Sequence, residues 1–263
     1  MSKCESVVRP ANLRLGCLII LLALTTGAAG ASAQAAPAVS PYYARTNTFS
    51  VFGAYSGDSS HILMGDAENR KLLEFGDAYG RKLFINHIVN WQYNGEILPV
   101  ALESDPELQF VYHQTSPTVL TYDMNLVTYP GHCIGSGKGT YNDESGGVIT
   151  SSGTFTYSCT RRWTIGKGIS PVGFQWNFLP RHKAQPFFIG HGGCMHSTQP
   201  IPVPAAGSFN FTFDLGAGFE LYHSKTKSIR AEYRYHHISN HNMDNLNPGI
   251  DNGLFQVTYS FGR

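Results

Sequence analysis

The chain has 263 residues, with 19 basic and 18 acidic side chains and an aromatic content of 13%. It is long enough for one large domain or two small ones, and its near-zero net charge argues against a protein that binds nucleic acid. Beyond the N-terminal segment no apolar run is long enough for a membrane-spanning helix. The many glycine, phenylalanine and tyrosine residues, with little helical periodicity, favour an all-β protein.

The first 33 residues have the charged, apolar and small-residue order of a secretory signal peptide. Arg9 and Arg14 precede an apolar run that starts at Leu15, and small residues follow through Ala33. A transmembrane anchor is the alternative, but the run is short and no charged stop follows it. Cleavage removes three basic groups and one acidic group, so the charge of the exported part stays close to zero. Residues 34–45 are predicted to be a disordered lead-in.

Alternation of apolar and polar residues with a period of two predicts strands along the rest of the chain. In the segment from His87 to Pro99, Val89 and Trp91 share one face, whereas Asn90 and Gln92 share the other. The regular strands predicted in this way cover residues 48–55, 71–83, 87–99, 169–178, 184–196, 209–222, 228–239 and 250–261. An even number of long strands behind an export signal predicts a closed outer-membrane β-barrel.

Alternation alone does not distinguish a membrane barrel, with its apolar face outward, from a soluble lipocalin-like barrel, with its apolar face inward. The polar face favours the membrane barrel, because its charged members look like the paired filling of a narrow lumen. These members are Asp214, Glu220, Arg230, Glu232, Arg234 and His236. The predicted fold class is therefore all-β: an eight-stranded antiparallel up-and-down outer-membrane barrel over residues 46–263.

The regular pattern is interrupted between about residues 104 and 167. The stretch from Thr140 to Cys159 is dense in Gly, Ser, Thr and Asn, and Cys133 and Cys159 lie on either side of an acidic turn. In an exported protein these two cysteines could close a disulfide, although the sequence does not determine the pairing and Cys194 is left over. We interpret the stretch as an inserted hairpin or long loop; a mobile loop without chemistry is the alternative.

The candidate site lies in the last two strands. His237 and Ser239 continue the odd-numbered apolar face of one strand, and Asp251 belongs to the outward face of the next. A short connection makes these strands antiparallel neighbours, so Asp251 folds back beside the other two. Serine, histidine and a carboxylate are the residue types of an activated-serine hydrolase. Polar residues are costly on a lipid-facing wall, which favours a functional reason for them; the alternative is that they mark the aqueous rim.

No metal or other cofactor is predicted. His191 and His196 have no accompanying arrangement of carboxylates or cysteines that is typical of a zinc site, although Cys194 lies between them. Hydrolysis by an activated serine needs no metal.

The segments His237-Ile238-Ser239-Asn240 and Asn247-Pro248-Gly249-Ile250-Asp251 resemble the lipid A 3-O-deacylase family of PagL type, known more broadly as acyloxyacyl hydrolases. The resemblance extends more loosely over residues 47–99 and 168–261. It implies a barrel in the outer membrane of a Gram-negative-type bacterium, surrounded by outer-membrane lipids. The resemblance also implies that the substrate is lipid A or lipopolysaccharide, which loses an ester-linked acyl chain at a site on the lipid-facing wall.

By position, the resemblance assigns the catalytic histidine to His237, the nucleophile to Ser239 and the acidic residue to Asp251, where the best-known branch has a glutamate. The positions expected to supply oxyanion donors or other support for the site are Asn240, Asn247 and Gly249. The inserted stretch, residues 104–167, is not part of the family's core pattern.

Two other functions fit the sequence. The chain could be a non-catalytic outer-membrane barrel whose inserted stretch has a structural or adhesive role, or a soluble barrel that binds lipid. The sequence also leaves open whether the barrel forms a homodimer.

Overall fold

The computed structural model describes residues 41–114, 123–128, 135–145 and 148–263. These ranges consist mainly of antiparallel strands: β1 Asn47–Ser56, β2 Lys71–Ile85, β3 Val89–Gln114, β4 Asp123–Thr128, β5 Gly137–Ser145, β6 Val148–Phe178, β7 Ala184–Ser197, β8 Phe209–Ser224, β9 Lys227–Ser239 and β10 Ile250–Gly262. A short 3-10 helix, Pro204–Ala206, lies between β7 and β8. In the described ranges, no helix is long and apolar enough to cross a lipid bilayer. The predicted signal peptide lies outside them.

Eight of the strands close into a ring. Hydrogen-bonded neighbours follow the order β3-β2-β1-β10-β9-β8-β7-β6, and pairing of β6 with β3 completes the circle. β1 pairs with β10 from Thr48 opposite Gly262 to Tyr55 opposite Phe255. The eight-stranded antiparallel barrel is therefore confirmed, and every predicted strand overlaps a strand of the ring.

The outer wall of the ring carries large apolar side chains, as the alternation requires. Phe49 on β1 and Phe255 on β10 are 50% and 53% exposed, and large apolar neighbours on the same faces are exposed to a similar extent. The other strands contribute similarly exposed residues, among them Phe75, Val172, Phe188, Leu215, Phe219, Ile229 and Tyr233. Water penalises an apolar surface this extensive, whereas a bilayer requires it. The outer wall is the lipid-facing wall.

The inner wall is polar and buried. The guanidinium of Arg234 donates to Glu96 at 2.8 and 3.0 Å and to Glu232 at 2.8 Å. His191 contacts Asp214 at 2.9 Å, and Arg234 lies 3.5 Å from the same carboxylate. All six residues that the sequence predicts to fill the lumen are buried: Asp214, Glu220, Arg230, Glu232, Arg234 and His236. Paired charges therefore occupy much of the interior, beside a buried apolar cluster that includes Leu72, Met195 and Leu254.

Replacing Arg234 with methionine is expected to destabilise the barrel by about 3–5 kcal/mol, because buried carboxylates lose their cation. The measurement is the urea midpoint of the full chain in detergent micelles. Arg81→Met is the matched control, since Arg81 is exposed on β2 and exposed substitutions usually change stability by less than about 0.5 kcal/mol. Equal midpoints for the two variants would contradict this account of the lumen.

The segment before β1 packs against the barrel. Arg45 is buried and donates to Glu220 at 2.6 Å and to Ser228 at 2.8 Å. The N–H of Tyr43 donates to the carbonyl of Pro180. The disordered lead-in predicted for residues 34–45 therefore does not hold for residues 41–45, because the buried carboxylate of Glu220 needs a cation.

The connections differ in length between the two ends of the barrel. β2 and β3, β6 and β7, and β8 and β9 are joined by short turns, whereas longer segments join β1 to β2, β7 to β8, and β9 to β10. In outer-membrane barrels the short turns face the periplasm and the long loops face outward. The long-loop end is therefore the extracellular end.

β3 and β6 run past the ring at the long-loop end and form an extension with β4 and β5. Their pairing continues from Ser104 opposite Trp163 to Gln114 opposite Gly153, with β4 added to β3 and β5 to β6. The described part of the inserted stretch is therefore an antiparallel sheet in the order β4-β3-β6-β5, rather than a single hairpin or loop. Cys159 is disulfide-bonded; Cys133, its predicted partner, lies outside the described residues.

Candidate active site

The three residues predicted to be catalytic lie at the extracellular end of β9 and β10. His237 and Asp251 are direct cross-strand partners. On its other side His237 faces Phe213 of β8, and Ser239, two residues further along β9, faces Phe211. All three belong to the outward set of positions on their strands.

The structure brings His237 and Asp251 into contact. Nδ1 of His237 lies 2.6 Å from Oδ1 of Asp251, and Asp251 is completely buried. Because a carboxylate can only accept, Nδ1 of the neutral imidazole carries the proton and Nε2 is left as the acceptor. This is the tautomer that a general base needs in order to take a proton from a neighbouring serine.

Ser239 is half-buried beside this pair. Among the residues that the structure describes, no hydrogen bond joins its hydroxyl to His237. Positions two apart on a strand share a face and are separated by roughly 7 Å at the backbone. Catalytic hydrogen bonds are often long without substrate and tighten when it binds. The structure therefore orients the histidine and leaves the serine close by, without a direct bond.

The second oxygen of the Asp251 carboxylate is held by the β1–β2 loop. Oδ2 accepts the main-chain N–H of Leu63 at 2.7 Å and that of Met64 at 2.8 Å. Oδ1 also accepts the hydroxyl of Tyr235 at 2.9 Å, beside its bond to His237. The carboxylate is thus satisfied on both oxygens and cannot rotate without losing these bonds.

The β1–β2 loop is anchored to the first residues of β10. Ser59 forms an antiparallel bridge with Asn252, and Ala67 forms a parallel bridge with Ile250. The sequence predicts this segment only as a loop, and its contribution to the site was missed because donation by main-chain N–H groups leaves no residue signature. Tyr235 has the parity of the apolar face of its strand, and an alternation pattern gives no indication of the role of its hydroxyl.

A glycine allows the loop to approach Asp251. A Cβ at Gly65 would lie 2.6 Å from the main-chain N of Asp251 and 2.9 Å from the carbonyl carbon of Ile250. Gly65→Ala is therefore expected to displace the loop and to lower the rate of a reaction at this site by about 10²-fold, the cost of misplacing a reacting group by about 1 Å. Gly57→Ala is the control, because its Cβ would make an ordinary 3.5 Å contact with Tyr55. Equal rates in mass-spectrometric time courses would contradict this role for the loop.

Asn240 holds the loop between β9 and β10. Its side-chain amide donates to the carbonyls of Ala206 and Leu246, and its main-chain N–H donates to Oδ1 of Asn247 at 3.0 Å. With these donors occupied, Asn240 supports the loop rather than offering a hydrogen bond to a substrate.

Gly249 lies against the imidazole. It has a φ of +61°, which favours glycine, and a Cβ there would lie 3.2 Å from Cε1 of His237. Its carbonyl accepts the N–H of Ala67, so the β1–β2 and β9–β10 loops meet at this glycine. Asn247, two residues earlier, is half-buried.

The surface around the site is apolar. Phe213 is 41% exposed beside His237. Both loops add exposed side chains at the same rim: Ile62 (45%), Leu63 (76%), Met64 (56%) and Leu246 (55%). A polar group surrounded in this way suits a ligand with long apolar chains.

The histidines of β7 do not converge on one site. His191 faces the lumen, where it and Asp214 and Glu96 offer atoms within 4.8 Å of one another. Arg234 donates to Glu96 in this cluster and supplies a positive charge there. Cys194 has the opposite strand parity to His191, and His196 is exposed. The three β7 residues therefore do not form a common set of metal ligands.

Comparisons with known proteins give one family model and several solved structures. The family model PagL, described as lipid A 3-O-deacylase, matches residues 126–260. The chain is similar to the "crystal structure of the outer membrane enzyme PagL", with 11% identity, a TM-score of 0.45 and coverage of 81% of this chain and 99% of that chain. For Neisserial surface protein A (NspA) these values are 9%, 0.39, 83% and 97%. For LpxR from Salmonella typhimurium they are 6%, 0.24, 82% and 100%.

No curated protein sequence matches the chain. The matched family region covers more than half of the chain and includes β9, the following loop and β10 as far as Ser260, with His237, Ser239 and Asp251. The chain belongs to the PagL family of lipid A 3-O-deacylases.

Proposed function

We propose that this protein is a serine esterase that removes one ester-linked acyl chain from lipid A. Ser239 is the nucleophile, His237 the general base and acid, and Asp251 the carboxylate that orients the histidine. The observation that carries the proposal is the 2.6 Å contact between Asp251 and His237 on the outer wall, beside Ser239. Family membership supplies the substrate class.

In the first half of the reaction the hydroxyl of Ser239 attacks the ester carbonyl carbon, while Nε2 of His237 takes the hydroxyl proton. The carboxylate of Asp251 stabilises the imidazolium that forms. The tetrahedral intermediate then loses the sugar oxygen, which receives the proton from His237. The sugar leaves with a free hydroxyl group, and the acyl chain stays on Ser239 as an ester.

In the second half, water attacks the acyl ester while His237 takes its proton. Collapse of the second intermediate returns that proton to Ser239 and releases a fatty acid. Both intermediates carry a negative oxygen that needs fixed donors. The N–H of Gly249 and the side-chain amide of Asn247 are the candidates, because both lie on the loop that packs against His237.

The position of the site explains how a membrane lipid reaches it. His237 and Ser239 are on the lipid-facing wall at the extracellular end, so an acyl ester in that leaflet meets Ser239 without leaving the membrane. Leu63 and Met64 give the acyl chain an apolar surface, while their main-chain N–H groups hold Asp251.

The proposal is tested by mass spectrometry of lipid A from cells that carry the full chain in their outer membrane. We expect a product lighter by one hydroxyacyl chain, together with the free fatty acid. An alkyl fluorophosphonate should label Ser239, and peptide mapping identifies the labelled residue. Unchanged lipid A in the presence of a folded barrel, or labelling elsewhere, would refute the proposal and favour the non-catalytic, adhesive alternative.

A further inference from the structure

Five aromatic side chains cluster on one face of the extension: Phe110, Tyr112, Tyr141, Phe155 and Tyr157. Ring centroids lie 5.9 Å apart for Phe110 and Tyr157, 5.7 Å for Tyr112 and Phe155, and 5.6 Å for Tyr112 and Tyr141. The set spans β3, β6 and β5, and every member is half-buried, so part of each ring remains accessible. We call this surface the aromatic platform.

Two rings of the platform lie over glycines of β5. A Cβ at Gly137 would be 2.6 Å from the hydroxyl oxygen of Tyr157, and one at Gly139 would be 2.6 Å from Cζ of Phe155. The missing side chains leave room for these rings to lie down across the neighbouring strand. A ring in this position presents a face rather than an edge to the surroundings.

The opposite face of the same strands is different in character. Its exposed side chains are small or polar, namely Gln109, His113, Thr154, Thr156 and Ser158, and Val111 is half-buried among them. Strand propensity alone would allow aromatic residues on both faces. The aromatic rings are therefore confined to one face of the extension, which makes this face the candidate docking surface.

The platform continues the lipid-facing wall beyond the membrane. Tyr157 and Phe155 have the same outward parity on β6 as Trp163 and Lys167. The strand from Trp176 to Lys167 is about 30 Å long. At a tilt of about 40° it rises roughly 23 Å along the membrane normal, which is close to the height of the apolar band, about 25 Å. Lys and Trp are typical of the interface, and Tyr157 lies about 30 Å of strand further outward.

The platform is therefore next to the layer just outside the bilayer. Lipopolysaccharide continues from lipid A into an oligosaccharide. The part of this proposed substrate that lies in the layer outside the bilayer is therefore sugar, whereas its acyl chains lie in the bilayer. The C–H faces of sugar rings pack on the electron-rich faces of aromatic rings. We propose that the aromatic platform binds the oligosaccharide of lipopolysaccharide and so holds the substrate beside the barrel; this inference rests on the proposed function.

The binding test uses a probe without any acyl ester, so that it is independent of catalysis. The probe is the oligosaccharide released from lipopolysaccharide by mild acid, titrated into the full chain in detergent micelles. The double variant Phe110→Thr/Tyr157→Thr keeps strand-forming residues and is expected to bind about tenfold more weakly. Gln109→Ala/Thr156→Ala, on the opposite face of the same strands, should bind like the wild type.

A kinetic test uses two substrates of different length. The platform variant is expected to lower kcat/KM about tenfold for intact lipopolysaccharide and to leave kcat/KM for sugar-trimmed lipid A unchanged. Hydrolysis of neither substrate by the wild type would refute the proposed function while leaving the binding result intact.

Equal oligosaccharide binding by the wild type and the platform variant would overturn the inference, as would no binding to the wild type. If the platform variant instead loses a dimer in sedimentation experiments while oligosaccharide binding is unchanged, the occupant is a second copy of the chain and the inference is wrong. Heat-modifiable migration confirms that each variant is a folded barrel.

Discussion

Ser239→Ala is expected to reduce the deacylation rate by about 10⁶-fold, because the acyl-enzyme can no longer form. His237→Ala is expected to have an effect of similar size, since the serine then has no base. Residues that act as a unit are strongly non-additive, so the double variant should lose no more than either single variant. Both proteins should still insert and migrate as folded barrels, because neither side chain contributes to the lumen.

The rates are measured as the appearance of lipid A lacking one acyl chain, with purified protein in micelles. Ser224→Ala is the matched control: Ser224 is at the opposite end of the barrel, and among the described residues its hydroxyl bonds within the exposed β8–β9 turn. We expect wild-type rates for this variant. More than one hundredth of the wild-type rate in Ser239→Ala would rule out Ser239 as the nucleophile.

Asp251→Asn is expected to lower kcat by about 10⁴-fold with little change in fold, as in other triads that lose this carboxylate. The amide oxygen can still accept the N–H groups of Leu63 and Met64. The amide nitrogen then faces Nδ1 of His237, which has to become the acceptor. The imidazole proton moves to Nε2, and the histidine can no longer take a proton from Ser239.

Tyr235→Phe provides the comparison for the aspartate. It removes one donor to Oδ1 of Asp251 but leaves the contact with His237, so a loss of about tenfold or less is expected. Asp251→Glu should fall between the two, since an extra methylene must displace either the imidazole or the β1–β2 loop. An Asp251→Asn rate within tenfold of the wild type would contradict the orienting role.

Most of the barrel could be predicted because each strand has one apolar and one polar face. This alternation can be recognised within each short segment of the sequence. The pairing of the extension could not be predicted in this way. Phe110 and Tyr112 do alternate, but the glycine- and serine-rich composition around Tyr157 hides the continuing strand. The packing of residues 41–45 against the barrel could not be predicted either, because Arg45 is stabilised by Glu220, 175 residues away.

At the site, it was predictable that Asp251 folds back beside His237, because β9 and β10 follow each other directly along the chain. What could not be predicted was the enclosure of Asp251, which comes from the main-chain N–H groups of Leu63 and Met64. Family membership and the lipid-facing wall make this chain an outer-membrane enzyme that acts on lipid A. The catalytic roles of the three residues remain predictions for the variants above to test.

The pairing of β1 with β10 also has a consequence for assembly. Asp251 begins the last strand, and the loop that encloses it follows the first, so Leu63 reaches Asp251 across 188 residues of sequence. These two parts of the chain become neighbours only when β1 pairs with β10, which is the seam at which the barrel closes. A folding intermediate with an open seam lacks the enclosed carboxylate and hence an oriented histidine. Deacylation is therefore expected to start only in the finished barrel, and its onset would time seam closure in a refolding experiment.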